Sequence, residues 1–140
     1  MIAKYQIFKE LNLEVLKFDG SWNSDDFKKY LKKISLDDDR RYVERILIDL
    51  RKVRLNVAIN DLDYIIKLRE EYIDKEYTVI HLVDNPAGTV LSHLYQERLK
   101  EKELKYSYCS TIEYAINFLK LNYTNSEMEN LIENINNQAE

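Results

Sequence analysis

The chain has 140 residues, 45% of them hydrophobic and 33% charged, with one cysteine, two histidines and a formal net charge of −4. That length suits one domain with a core of its own, and the composition lies outside the low-hydrophobicity, high-charge regime of disordered chains. Cys109 cannot make an internal disulfide, no apolar run approaches the roughly 20 residues that span a bilayer, and no leader pattern or concentrated basic surface is apparent; a cytoplasmic protein with no membrane span and no nucleic-acid partner is expected.

Segments 5–8 and 13–18, separated by Lys9-Glu10-Leu11-Asn12, read as a β-hairpin, because Leu11, Leu13 and Val15 alternate with the period of a half-buried strand. Asp19-Gly20 ends it. Ser24 then supplies an N-cap, and Phe27, Tyr30, Leu31 and Ile34 make the apolar stripe of a first helix. Residues 37–41 are a polar connector. Ile46-Leu47-Ile48-Asp49-Leu50 reads as a strand buried on both faces, the habit of a central parallel strand. A connector over 51–59 leads to a second helix over 61–73, and residues 77–83 form the next strand. Asn85 caps a third helix with Pro86 in its first turn, running towards Lys102. Residues 106–109 are a short last strand, and Ser110-Thr111-Ile112-Glu113 reads as a capping box opening a fourth helix.

The expected fold is therefore α/β: a mainly parallel sheet of about five strands with an N-terminal β-hairpin, alternating with helices through right-handed crossovers over residues 1–122. From residue 123 the composition turns to Asn and Glu. Glu127, Glu129, Glu133 and Glu140 carry the whole excess of acidic over basic side chains, so the body through Tyr123 is formally neutral. Thr124 with Glu127 forms a second capping box, and Met128, Leu131, Ile132 and Ile135 make a narrow apolar stripe, so residues 123–140 read as an appended acidic helix. Docking on its own domain and docking on a partner both remain open.

This element order, with Leu13 to Phe18 before Asp19-Gly20, Ile46-Leu47-Ile48-Asp49-Leu50 before a loop and helix, and Tyr106 to Cys109 before a last helix, resembles the STAS family, the sulfate transporter and anti-sigma factor antagonist domains, in particular its SpoIIAA-like members. The resemblance implies a regulatory, protein-binding domain. In family members that act as anti-sigma antagonists, the strand ending in Asp-Leu leads to a phosphorylatable serine at the next helix start. Here Val57-Ala58-Ile59 stands in that place, and no Ser or Thr occurs from Arg51 to Glu76, so the usual serine switch has no hydroxyl to use. The family shares its superhelical architecture with lipid-binding CRAL-TRIO domains, which admits an apolar ligand.

Ligands of open α/β sheets sit outside the carboxyl ends of the strands, which here places Asp49, Arg51, Asp84, Asn85, Gly88, Cys109 and Ser110 in a candidate site. Asp84 and Asn85 also serve simply to start a helix, and Gly88 admits close approach of a ligand to the backbone. Cys109 has a nucleophilic reading if His81 lies beside it, against a structural reading as a buried thiol. Trp22 is either a ligand-facing aromatic or a hydrophobic staple. With only Gly20 and Gly88 there is no glycine-rich phosphate loop, and two distant histidines and one cysteine make no metal motif, so neither a cofactor nor a metal is expected.

The expectation that follows is a non-enzymatic regulatory or protein-interaction module, its partner another protein or a second copy of itself, met through a helical face or through the tail stripe Met128, Leu131, Ile132 and Ile135. The alternative is a carrier or sensor that binds a small apolar or anionic ligand at the strand ends.

Overall fold

The computed structural model describes residues 1–99 and 105–135. β1 (Ile2–Phe8) and β2 (Leu13–Ser21) form the expected antiparallel hairpin, paired from Ile2 with Asp19 to Phe8 with Leu13. A 3-10 turn over Lys9–Leu11 joins them, and Asn12, at φ 51°, completes the reversal in a left-handed conformation that asparagine tolerates better than most residues. β2 does not end at Asp19-Gly20. Its register shifts between Lys17 and Asp19, Gly20 takes φ +95°, and the strand runs on to Ser21. A glycine of positive φ bends a strand as readily as it ends one.

The continuation is held by β3 (Arg45–Arg54), which keeps residues 51–54, expected as a connector, in the sheet by pairing Lys52, Val53 and Arg54 with Asp19, Gly20 and Ser21. β4 (Thr78–Leu82) and β5 (Tyr106–Cys109) complete a five-stranded sheet in the order β1-β2-β3-β4-β5. It is mixed: β1 runs antiparallel to β2, and the other three pairings are parallel.

Helices α1 (Ser24–Ser35), α2 (Leu62–Tyr72) and α3 (Pro86–Leu99) make the three crossovers. Strands added stepwise in one direction, through crossovers of one hand, put every crossover helix on the same face. Leu16, Phe18 and Leu50 of the strands, with Val83 just after β4, meet Tyr30, Leu31, Ile65 and Leu91 there. α4 (Ile112–Phe118) follows the last strand and has no crossover to make. It turns to the opposite face, where α5 (Asn125–Glu133) lies beside it.

Helix starts follow local hydrogen-bond supply. The cap of α1 is Asn23, not Ser24: Asn23 Oδ1 accepts the Asp26 N–H at 3.0 Å, while the Ser24 hydroxyl donates to Asp61 Oδ2 at 2.6 Å. α3 starts as expected, with Asn85 Oδ1 accepting from Gly88 N–H at 2.8 Å. Its expected continuation to Lys102 lies outside the described residues. At α4 the cap is Thr111, which accepts from Tyr114 N–H at 3.2 Å, so the cap lies one residue beyond Ser110 and the box read on Ser110 and Glu113 does not form.

α5 docks on its own sheet. Met128, Ile132 and Ile135 are buried against Leu13, Val15, Leu47, Ile80 and Leu82 together with residues of α4. Lys17 Nζ donates to the Ile132 carbonyl at 3.0 Å, holding the carboxyl end of the helix, and the Thr124–Glu127 capping box closes the other end with bonds of 3.0 and 3.1 Å. Thr124→Ala, which removes one of the two box bonds, is expected to cost about 1 kcal/mol in urea unfolding without altering the fold. A loss below about 0.3 kcal/mol would mean that packing alone sets the position of α5.

Candidate functional site

The two faces of the sheet are filled differently. Under α4 and α5, the strand residues Leu13, Val15, Leu47, Ile80 and Leu82 are all 0% exposed. Under α1, α2 and α3, the corresponding central positions Ile48, Val79 and His81 are only half-buried, although they lie in the middle strands beneath the helix layer. Their remaining surface lines an apolar cavity of about 90 Å³. Leu16, Ile46, Ile48, Leu50, Val79 and His81 form its floor, α1 contributes Phe27, Tyr30 and Leu31, α2 contributes Leu62, Ile65 and Arg69, and α3 contributes Leu91 and Tyr95.

The position of α2 explains the hollow. Asp63 in its first turn forms an ion pair with Arg98 at the far end of α3. The 14 residues of α3 span about 21 Å, so two helices lying parallel in step could not make that pair. α2 rests on α1, α3 and the 3-10 turn Ala58–Asp61 more than on the strands below.

Polar side chains bound the cavity on two sides. At the amino ends of the parallel strands Glu14 is 0% exposed. It accepts from the Tyr30 hydroxyl at 2.8 Å and from the Arg40 guanidinium, and Arg40 also donates through Nε to the Tyr77 hydroxyl at 3.1 Å while lying over that ring, 4.6 Å from its centroid. Burial pushes the Glu14 carboxyl above its ordinary value, with the Arg40 charge and the Tyr30 hydrogen bond opposing.

On the β4 side, His81 Nδ1 lies 2.8 Å from the Tyr106 hydroxyl and 3.1 Å from Ser92 Oγ, and its ring stacks on Tyr95 at 5.5 Å. Burial pushes the imidazole down to about 3, so it is neutral at physiological pH. Tyr95 is pushed up to about 12 by the same desolvation, against the influence of the neighbouring Arg69.

The residues picked from the strand ends do not converge on this cavity, except Trp22. Its ring packs edge-on against Phe18 at 6.2 Å and lines the cavity, and its indole N–H donates to Asp61 Oδ2 at 3.2 Å, so it is both wall and anchor. Asp49 and Arg51 belong to the other face. The Arg51 guanidinium is shared between Asp49, with Nε and Nη2 each at 3.0 Å, and Glu129 of α5, at 2.7 and 3.1 Å. With Lys4, Lys17, Lys52 and Asp84 these groups line a second, polar cleft of about 460 Å³ that mixes both signs of charge.

Asp84 is exposed and accepts from Asn85 Nδ2 at 3.3 Å. Gly88 serves packing: a Cβ there would come within 3.3 Å of both Asn85 Oδ1 and Val83 Cγ1. Cys109 pairs in register with Leu82, not His81, so the two side chains point to opposite faces and form no nucleophile–base couple. Burial raises the thiol's pKa, and its sulfur donates to the Thr111 carbonyl at 3.4 Å; Ser110 beside it is exposed. In the tail stripe, Met128, Ile132 and Ile135 are spent on the sheet, and Leu131 is half-buried.

Glu14, Arg40 and Arg69 were absent from the residues the sequence singled out. Glu14 did leave a signal, since it shares a strand face with Leu16 and Phe18 at spacings of two and four, where a solvent-facing carboxylate has no place. Arg40 sits in a stretch that reads as a polar connector, and Arg69 on a helix whose tilt is not encoded locally.

Comparison with protein-family models, curated proteins and solved structures finds no match to this chain. Among the described residues, no helix is long and apolar enough to cross a membrane.

Proposed function

We propose that this chain is a non-enzymatic, STAS-like regulatory module that responds to a small apolar ligand held between its sheet and α1, α2 and α3. The observation that carries the reading is the contrast between the two faces: one packed to 0% exposure, the other hollow over Ile48, Val79 and His81. Close packing is the rule in protein interiors, and an apolar void forfeits dispersion contacts that evolution can readily restore, so a retained one suits occupancy. The stepwise strand order with a single antiparallel edge supports the STAS-like part of the reading. Because α2 roofs the cavity and follows directly on the loop at Val57 and Ala58, occupancy would be read out as a shift of α2 and that loop.

The ligand-binding site thus lies beneath the helices and not at the strand ends. The test is thermal unfolding with a neutral aromatic probe, benzyl alcohol, on the wild type and on Ile48→Phe, which fills the cavity floor. The wild type is expected to gain stability as the probe approaches saturation, by about 2.7 kcal/mol at a hundredfold excess over its dissociation constant. The variant should gain none. No stabilisation of the wild type, or an equal gain in Ile48→Phe, would overturn the proposal.

A further inference from the structure

The polar groups around the cavity are unequally committed. The Tyr30 hydroxyl and the Arg40 guanidinium are both turned to Glu14, the Tyr77 hydroxyl receives Arg40 Nε, and Trp22 is bound to Asp61. His81 Nδ1 is engaged by Tyr106 and Ser92. Arg69 differs. It is half-buried on α2, lines the cavity, is hydrogen-bonded to the Tyr95 hydroxyl, and forms no ion pair with a carboxylate among the described residues. Among the described residues, no acidic side chain lines the cavity. The wall therefore carries one arginine neutralised by Glu14 and one cation without a counter-charge among the described residues, on an otherwise largely aliphatic and aromatic space.

From this arrangement we infer that the ligand is a small monocarboxylic acid with an apolar body, its carboxylate on Arg69 and the Tyr95 hydroxyl and its apolar part over Ile48 and Val79. A guanidinium presents paired N–H donors that match the two oxygens of a carboxylate, and a phenol beside it adds a further donor. The volume bounds the size: about 90 Å³ is smaller than the roughly 150 Å³ of a cavity that takes benzene, so a single ring or a short chain is the upper limit and a long-chain lipid is far too large.

This inference rests on the ligand-binding reading above. Its test compares benzoate with benzyl alcohol, of similar size but neutral, by calorimetric titration at low salt on the wild type, Arg69→Met and Arg69→Lys. The wild type is expected to bind benzoate at least tenfold more tightly than benzyl alcohol. Arg69→Met should lose that preference while still binding benzyl alcohol, which shows the variant folded and its cavity intact, and Arg69→Lys should recover part of it. Equal affinity of the wild type for both probes, or benzoate affinity unchanged in Arg69→Met, would overturn the carboxylate assignment and leave the apolar-ligand reading standing. If neither probe binds the wild type, both fail.

Discussion

Arg40→Met is expected to destabilise the protein by about 3–5 kcal/mol, read as a lower urea midpoint at unchanged slope, because it leaves Glu14 buried without the cation that offsets its desolvation. Glu14 is 0% exposed and the Arg40 side chain only 14%, so water cannot replace the lost partner. Tyr30, at 2.8 Å, would remain as a neutral donor, insufficient for a carboxylate in such surroundings. Replacing both partners, Glu14→Leu with Arg40→Met, should recover most of the loss, since an apolar pair needs no desolvation. A loss below about 1 kcal/mol in Arg40→Met alone would show that solvent reaches this corner. The cluster joins β2, α1 and the 3-10 turn Asp38–Tyr42, so it also ties together one end of the cavity.

The second large effect is acid sensitivity. His81 has a folded pKa near 3 against about 6.5 in an unfolded chain, so between those values the unfolded state binds a proton that the folded state refuses. Stability is therefore complete above the unfolded value and is lost as pH falls, by about 3 kcal/mol at pH 4. Glu14 acts in the opposite sense. Its raised folded pKa makes the folded state take up a proton first, so its contribution grows as pH falls through that raised value towards the ordinary carboxylate range. Comparing the wild type with His81→Gln isolates the histidine: the stability difference between the two should change by about 3 kcal/mol from pH 7 to pH 4, in favour of the variant at low pH. Parallel pH profiles would contradict the burial assigned to His81.

Much of the element order could be read in advance because it rests on local chemistry. The hairpin, the Ile46 to Leu50 strand, the cap at Asn85 and the Thr124–Glu127 box all depend on residues within a few positions of one another, and each is found. Misreadings occurred where a distant segment decided. Residues 51–54 stay in β3 because Asp19, Gly20 and Ser21 arrive to pair with them, and Ser24 gives up capping because Asp61, distant in sequence, takes its hydroxyl.

The site was less legible still. The reading from strand ends gathered Asp49, Arg51, Asp84 and Cys109, but alternation along β3 and β5 turns Asp49, Arg51 and Cys109 to the face that α4 and α5 cover. The tail stripe was visible as Met128, Leu131, Ile132 and Ile135, yet an amphipathic helix bears no mark of which apolar surface it will meet.

By itself, then, the sequence determined an α/β chain with five strands and a terminal helix of its own, because periodicity, caps and turn residues act over a few positions. Only the tertiary structure decided that α5 closes one face of its own sheet, that a cavity is left between Ile48 and the helices above it, and that Arg69 lines it without a counter-charge among the described residues. Helix tilt and the filling of a core are set by volumes and ion pairs between segments far apart in the chain, and no local pattern encodes them.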